Sequence, residues 1–420
     1  MSTPRLDRPP VDRTVRTAST AVFAVFFLSG LNFASWASRL PAVRDGLGLT
    51  PARMGLLLLV GSAASLVGLP LAGVIVERLG ARRTVMTFAS FNAGGLAIAA
   101  VGAELGHIVV VGVGLVVYGF GTGLWDAAMN VEGAFVEQRL GRTVMPRYHA
   151  GFSFGTMAAA GLAALAAAAH VKVGVHLPVV LALSTVAVAI SVRSMLPDTG
   201  QLAAVDDDAE ADPHAAPRGA RGSWVAWTEA RTLLIGLVVM AAALTEGSAN
   251  DWLSLAVVDG FATSHVVGAL AFGVFVTAMT AMRMFGTGLL DRYGRVPVLR
   301  LCGAMALVGL LVFGLAGPLW LALLGVVVWG MGSALGFPVG MSAASDQPLR
   351  AAARVAVVST IGYAAFLAGP PLLGLLAQHV GYRHALLAIA VPAALGLLVA
   401  QAAAPPRSGA AAGQPSTLDE

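Results

Sequence analysis

The sequence predicts an all-α integral membrane protein, with twelve transmembrane helices in two six-helix bundles related by pseudo-two-fold symmetry. Three observations carry that prediction. The 420-residue chain is 57% apolar and 11% charged, with mean hydropathy +0.80; soluble domains are roughly one-quarter charged. Apolar runs of about 20 residues, enough to cross about 30 Å of hydrocarbon, recur along its whole length. One short charged pattern also occurs twice, with Glu77 and Asp291 in register 214 positions apart. Only helices and closed barrels satisfy the backbone inside lipid, and continuous apolar runs of this length mean helices.

Taken in order, the first six runs cover 18–38, 52–76, 84–103, 108–131, 148–169 and 174–195. The second six cover 232–257, 264–285, 297–315, 318–341, 354–377 and 381–403. These are spans 1 to 12. They divide the chain into an N-terminal tail (1–17), a first bundle (18–196), a linker (197–230), a second bundle (231–403) and a C-terminal tail (404–420). The linker carries Asp206, Asp207, Asp208, Glu210 and Asp212 in an Ala- and Pro-rich stretch. Such a segment has too little apolar surface to fold alone. It ends at Trp224 and Trp227, which suit a membrane interface.

The basic residues fix orientation. With the N-terminus inside, all but five of the 26 Lys and Arg residues fall on the inner side, the positive-inside pattern. Both termini are therefore expected in the cytoplasm of a bacterial cell, and the sequence pI near 9.7 reflects topology. Arg supplies every basic residue except Lys172, a bias typical of GC-rich bacterial genomes. The lone cysteine, Cys302, excludes an internal disulfide. No phosphate-cradling G-x-x-x-x-G-K-[ST] sequence occurs, so ATP cannot drive the protein directly. No metal-ligand cluster, nucleophile elbow or catalytic dyad is visible, which argues against an enzyme.

The duplication extends beyond the charged loops. Gly119, Gly121 and Leu124 of span 4 match Gly330, Gly332 and Leu335 of span 10. Two parallel six-helix repeats with substrate at their interface are a recurring transporter plan. The first loop reads Gly73, Glu77, Arg78, Gly80, Arg82 and Arg83; the second has Asp291, Arg292, Gly294 and Arg295. On these residues the chain resembles the major facilitator superfamily (MFS) over essentially its full length. The resemblance implies that Gly73, Glu77, Arg78, Gly80, Arg82, Arg83, Asp291 and Arg292 form a conformational latch between the bundles. Glu77 stands where the family usually has Asp.

Ionisable residues inside spanning helices are expensive and so mark function by default. Asp126 and Asn130 in span 4 are four apart and share a helix face. A carboxylate there can load and release a proton as access alternates. The stretch from Gly123 to Asn130, followed by His149, Ser153 and Gly155, resembles the fucose permease-like branch, the bacterial proton-coupled sugar symporters. That resemblance makes Asp126 the coupling carboxylate and Asn130 its companion. Where those symporters carry a second acid in span 1, this chain has Asn32, Ser35 and Trp36.

Glu246 in span 7, about 22 Å into its helix at 1.5 Å per residue, is the natural replacement for that acid. Asn250 lies on the same face. Asn32, Trp36, Trp125, Asn130, Asn250 and Tyr363 form the expected lining for a sugar-like solute. His149 and Ser153 open span 5 as a possible gate or proton relay. Asp251 reads as a hydrated rim residue, and Arg283 as a side chain that snorkels to water.

The function expected from these residues is secondary active transport of a small polar organic solute, a sugar or sugar-like metabolite, by alternating access. No cofactor is needed beyond a proton gradient. The partners are the solute, protons and the bilayer, without nucleic acid or nucleotide, and the protein is expected to act as a monomer in the cytoplasmic membrane. A proton-driven drug or metabolite exporter is the alternative, and a non-transporting sensor on the same fold is a third.

Overall fold

The computed structural model describes residues 13–141, 144–196, 226–346 and 350–405. Among the described residues there is no strand, and every expected span is helical. The first bundle contains Arg13–Ala37, Pro51–Leu79, Ala81–Glu104, Ile108–Leu140, Met145–Ala168 and Val173–Ser191. The second contains Ala230–Gly260, His265–Tyr293, Arg295–Leu315 and Leu319–Ala344, then a 51-residue apolar stretch, Ala353–Ala403. Gly381, at φ 78° and ψ 159°, breaks that stretch into spans 11 and 12. Trp224 and most of the linker lie outside the described residues, as do the outer parts of both tails.

The charged loops explain their own glycines. Gly80 (φ 80°, ψ 156°) turns the chain between spans 2 and 3, and Gly294 (φ 78°, ψ 173°) does the same between spans 8 and 9. Positive φ costs glycine almost nothing, whereas a Cβ makes it strained. Span 2 starts with Pro51 after Thr50, whose hydroxyl accepts the Arg53 amide at 3.4 Å; this is an ordinary N-cap followed by a preorganised first residue.

The repeat is visible in the packing as well as in the loops. A Cβ on Gly95 would lie 2.3 Å from the Tyr118 nitrogen and 2.6 Å from the Gly114 oxygen. On Gly309 it would lie 2.2 Å from the Trp329 nitrogen and 2.6 Å from the Gly325 oxygen. Spans 3 and 4 therefore press backbone to backbone in the same way as spans 9 and 10. Small residues permit this close approach, which supplies packing where lipid offers no hydrophobic drive.

Two features depart from straight helices. A short helix, Leu40–Leu47, follows span 1 on the face opposite the charged loops. Span 10 is interrupted between Ser333 and Gly336. The bundles touch on the half of the molecule away from the charged loops. A Cβ on Gly55 of span 2 would sit 2.4 Å from the Pro370 oxygen of span 11, and one on Gly374 would sit 2.6 Å from the Pro51 oxygen. Ala163 and Ala164 of span 5 cluster with Ala269 of span 8. Arg44 pairs with Asp259 across the gap, and Asp45 meets His265 at 2.9 Å.

The charged-loop face is different. Glu77, Arg78, Arg82, Arg83, Asp291 and Arg292 are exposed, and among the described residues none of them forms an ion pair. Among the described residues, these contacts between the bundles therefore lie towards one face.

Candidate functional site

Asp126 lies on the face of span 4 that looks across to the second bundle. It is exposed, and Tyr363 of span 11 lies near it. Asn130 donates its Nδ2 to the Asp126 carbonyl at 2.8 Å and reaches the carboxylate Oδ1 at 3.4 Å. Among the described residues Asp126 has no cationic partner. Trp125, one residue earlier and so about 100° around the helix, faces the bundle core and is 1% exposed.

Glu246 shows the opposite arrangement. Its Oε2 receives Arg283 Nη2 at 2.9 Å, and Arg283 Nε donates to the Ala334 carbonyl at 3.1 Å. Ala334 lies in the break of span 10, so the guanidinium also satisfies a carbonyl that the interrupted helix leaves free. Arg283 does not snorkel to water as its sequence position indicated. It lies beside an acid within the membrane, the pairing that lipid demands of such residues. His149 of span 5 in the first bundle lies near it. The gap between bundles therefore carries Asp126, Asn130 and His149 on one wall, with Glu246, Arg283 and Tyr363 on the other.

Several expected lining residues lie elsewhere in this conformation. Asn32 is 1% exposed and donates to Asn92 Oδ1 at 2.9 Å, and Asn92 in turn donates to Thr122 Oγ1 at 2.9 Å. That chain ties spans 1, 3 and 4 together. Trp36, on the same helix face as Asn32, is 4% exposed. Ser153 is buried and directs its hydroxyl to the His149 carbonyl at 3.3 Å, while the His149 ring meets Phe26 edge-on at 5.1 Å. Asn250 is partly buried beside Glu246 on span 7. Glu137 caps the Val144 and Met145 amides at 2.6 and 2.7 Å, and Glu132 accepts the Leu196 amide at 3.0 Å.

Sequence reasoning missed two charge clusters. On the charged-loop face of the second bundle, Asp346 receives Arg231 at 2.9 Å and Arg295 at 2.6 Å, while Glu229 receives Arg350 and Arg354. On the opposite face, Arg44 and Asp45 meet Asp259 and His265. All are loop or helix-end residues. Only proximity in three dimensions reveals them.

Twelve spans in two repeated bundles around a polar gap define a membrane transporter, and the comparisons name its family. The chain matches the Major Facilitator Superfamily over residues 22–353 and 235–418, and it belongs to that family, which comprises transporters and not enzymes. It is 31% identical over 389 residues to the uncharacterized transporter y4wD of Sinorhizobium fredii, covering 92% of this chain and 98% of that protein. It is 26% identical over 382 residues to the membrane protein MosC of Rhizobium meliloti, covering 91% and 88%. Among solved structures, the nucleoside transporter NupG superposes with TM-score 0.71 at 16% identity, covering 92% of this chain and 98% of that one. The E. coli fucose:proton symporter FucP gives 0.60 at 15% identity, covering 93% and 100%.

Proposed function

We propose that the protein is a proton-coupled importer of a small polar organic solute, a sugar or sugar-like metabolite, in a bacterial cytoplasmic membrane. In this reading the charged-loop face is cytoplasmic, in keeping with its excess of arginine, and the conformation is inward-open. Asp126 is the proton carrier. The observation that carries this role is its placement: an uncompensated carboxylate at the inter-bundle gap, exposed on the open side. A cation beside it would hold it permanently ionised, and none is present among the described residues.

The solute would lie between Asn130, Asn250 and Tyr363, near the Glu246–Arg283 pair and the break in span 10. Interrupted helices with free backbone groups are where transporters of this plan hold their cargo. The similar folds of a nucleoside transporter, a fucose:proton symporter and a D-xylose-proton symporter support this solute class. Glu77, Arg78, Arg82, Arg83, Asp291 and Arg292, which form no ion pair among the described residues, would latch the cytoplasmic face when it closes.

The test is proton movement in liposomes loaded with an internal pH dye, with sugars and nucleosides added in turn. A solute-dependent pH change in wild type that Asp126→Asn abolishes is the expected result. Isotopic uptake of that solute by both proteins without any pH change would make the protein a uniporter and Asp126 structural.

A further inference from the structure

Span 7 holds a second carboxylate that the account above does not use. Asp251 lies five residues beyond Glu246, away from the charged loops. It is only partly exposed. Glu246 has Arg283; Asp251 has no ion pair or hydrogen bond among the described residues. It lines a small space between spans 7 and 11 with Ser248, Trp252, Phe366, Gly369 and Pro370. That wall offers no other titratable group. From the first bundle, Tyr118 of span 4 lies near Asp251. On its own helix the nearest acids are Glu246 and, about 12 Å further out at 1.5 Å per residue, Asp259.

Asp259 belongs to the seal. Its partner Arg44, with Asp45 and His265, ties the outer ends of the two bundles together, and the backbone contact of Gly55 with Pro370 lies beside this space. Pro370 is itself part of the wall beside Asp251. Opening the sealed face must separate spans 2 and 11, and that movement exposes the carboxylate to water. Asp126 has the complementary placement, in the other bundle and exposed while the seal is shut.

We infer that Asp251 is a second proton site, loaded from the outer side when that face opens and held occluded beneath the closed seal. The carboxylate gains one proton there and loses its charge. An uncompensated charge at this depth is costly, and protonation removes that cost. A metal cation is a poor occupant, because hard cations take about six or more oxygen ligands, and the lining supplies one carboxylate and the Ser248 hydroxyl. Proton access would then alternate between two carboxylates, Asp251 from outside and Asp126 from inside. This inference rests on the proton-coupled reading proposed above and adds a site to it.

The test needs no known solute. Infrared spectra of the purified protein in lipid would be recorded from about pH 5 to about pH 9, the range in which buried carboxylates titrate. Wild type, Asp251→Asn, Asp126→Asn and Asp251→Glu would be compared, each first shown to elute as a single folded species. Wild type should show titrating carboxylic-acid carbonyl bands. Asp251→Asn should lose one, Asp126→Asn a different one, and Asp251→Glu should shift the first without removing it.

If Asp251→Asn leaves every titrating band in place while Asp126→Asn removes one, Asp251 is no proton site and the coupled reading stands. If neither variant removes a band, both fall. An Asp251 band that never titrates, or one that responds to sodium at fixed pH, would also overturn the inference.

Discussion

Span 4 and span 7 present the same local pattern, an acid followed four residues later by Asn, and the structure treats the two oppositely. Asp126 faces the gap, hydrogen-bonded among the described residues to Asn130. Glu246 is tied to Arg283 and through it to the broken span 10. The pattern on one helix places an acid on a face, but the neighbouring helix decides whether its charge is compensated. An uncompensated acid is suited to carrying a proton. A compensated one is suited to holding structure and solute.

Removing the partner should separate the two most strongly. Arg283→Ala leaves Glu246 uncompensated inside the membrane. Breaking a fully buried pair costs about 3–5 kcal/mol. This pair is 31% and 22% exposed at its side chains, so a loss nearer about 2 kcal/mol is expected, read as a lowered thermal midpoint in detergent. Adding Glu246→Gln to Arg283→Ala should recover most of that loss, because no unpaired charge remains. Asp126→Asn, which gives up only the long contact to Asn130, should change stability by about 0.5 kcal/mol or less, the range of substitutions that break no buried network. Equal destabilisation by Arg283→Ala and Asp126→Asn would remove the distinction between the two acids.

The fold was largely legible because its signals are linear. Apolar length, the doubled loop around Gly80 and Gly294, and the arginine bias are all readable without contacts. The face of Asp126 was legible too, since one-helix geometry sets it. The role of Arg283 was not, because its depth in span 8 matched a snorkelling side chain and only the packing of span 8 against spans 7 and 10 shows its partners. Asn32 and Trp36 were assigned to the cavity from their shared face. That face turns to span 3, where Asn92 accepts Asn32, and helix rotation about its own axis is not written in a pattern that is apolar all round.

A smaller effect is expected where the two bundles meet. Arg44→Ala removes the pair with Asp259, a partly exposed interaction worth up to about 1 kcal/mol, or a roughly five-fold shift in the balance of open and closed states. Cys302 is buried and is the lone cysteine, so a cysteine introduced by Gly369→Cys can be read against a low background. Its labelling by an impermeant maleimide from the outer side should rise several-fold when Arg44→Ala is added. Unchanged labelling would mean that the Arg44–Asp259 pair does not hold the seal.

The smallest expected effect tests the contrast between the two charged-loop faces. In the first bundle Glu77 and Arg78 form no ion pair among the described residues, whereas in the second Glu229 is bound by arginines. The hydrogen bond from Arg354, with Thr232 and Arg350 adding to it, holds the Glu229 carboxyl down at about 2, against an ordinary 4.5. A depressed folded value means that the stabilisation is fully present above pH 4.5 and is lost as pH falls towards 2. The thermal midpoint of wild type should therefore fall more steeply over that window than that of Glu229→Gln, which has no carboxyl to protonate at this site. Glu77→Gln should follow the wild-type curve, because no partner among the described residues holds Glu77. Parallel curves for wild type and Glu229→Gln would show that the arginines beside Glu229 contribute nothing to folding, and that the two faces differ in geometry but not in energy.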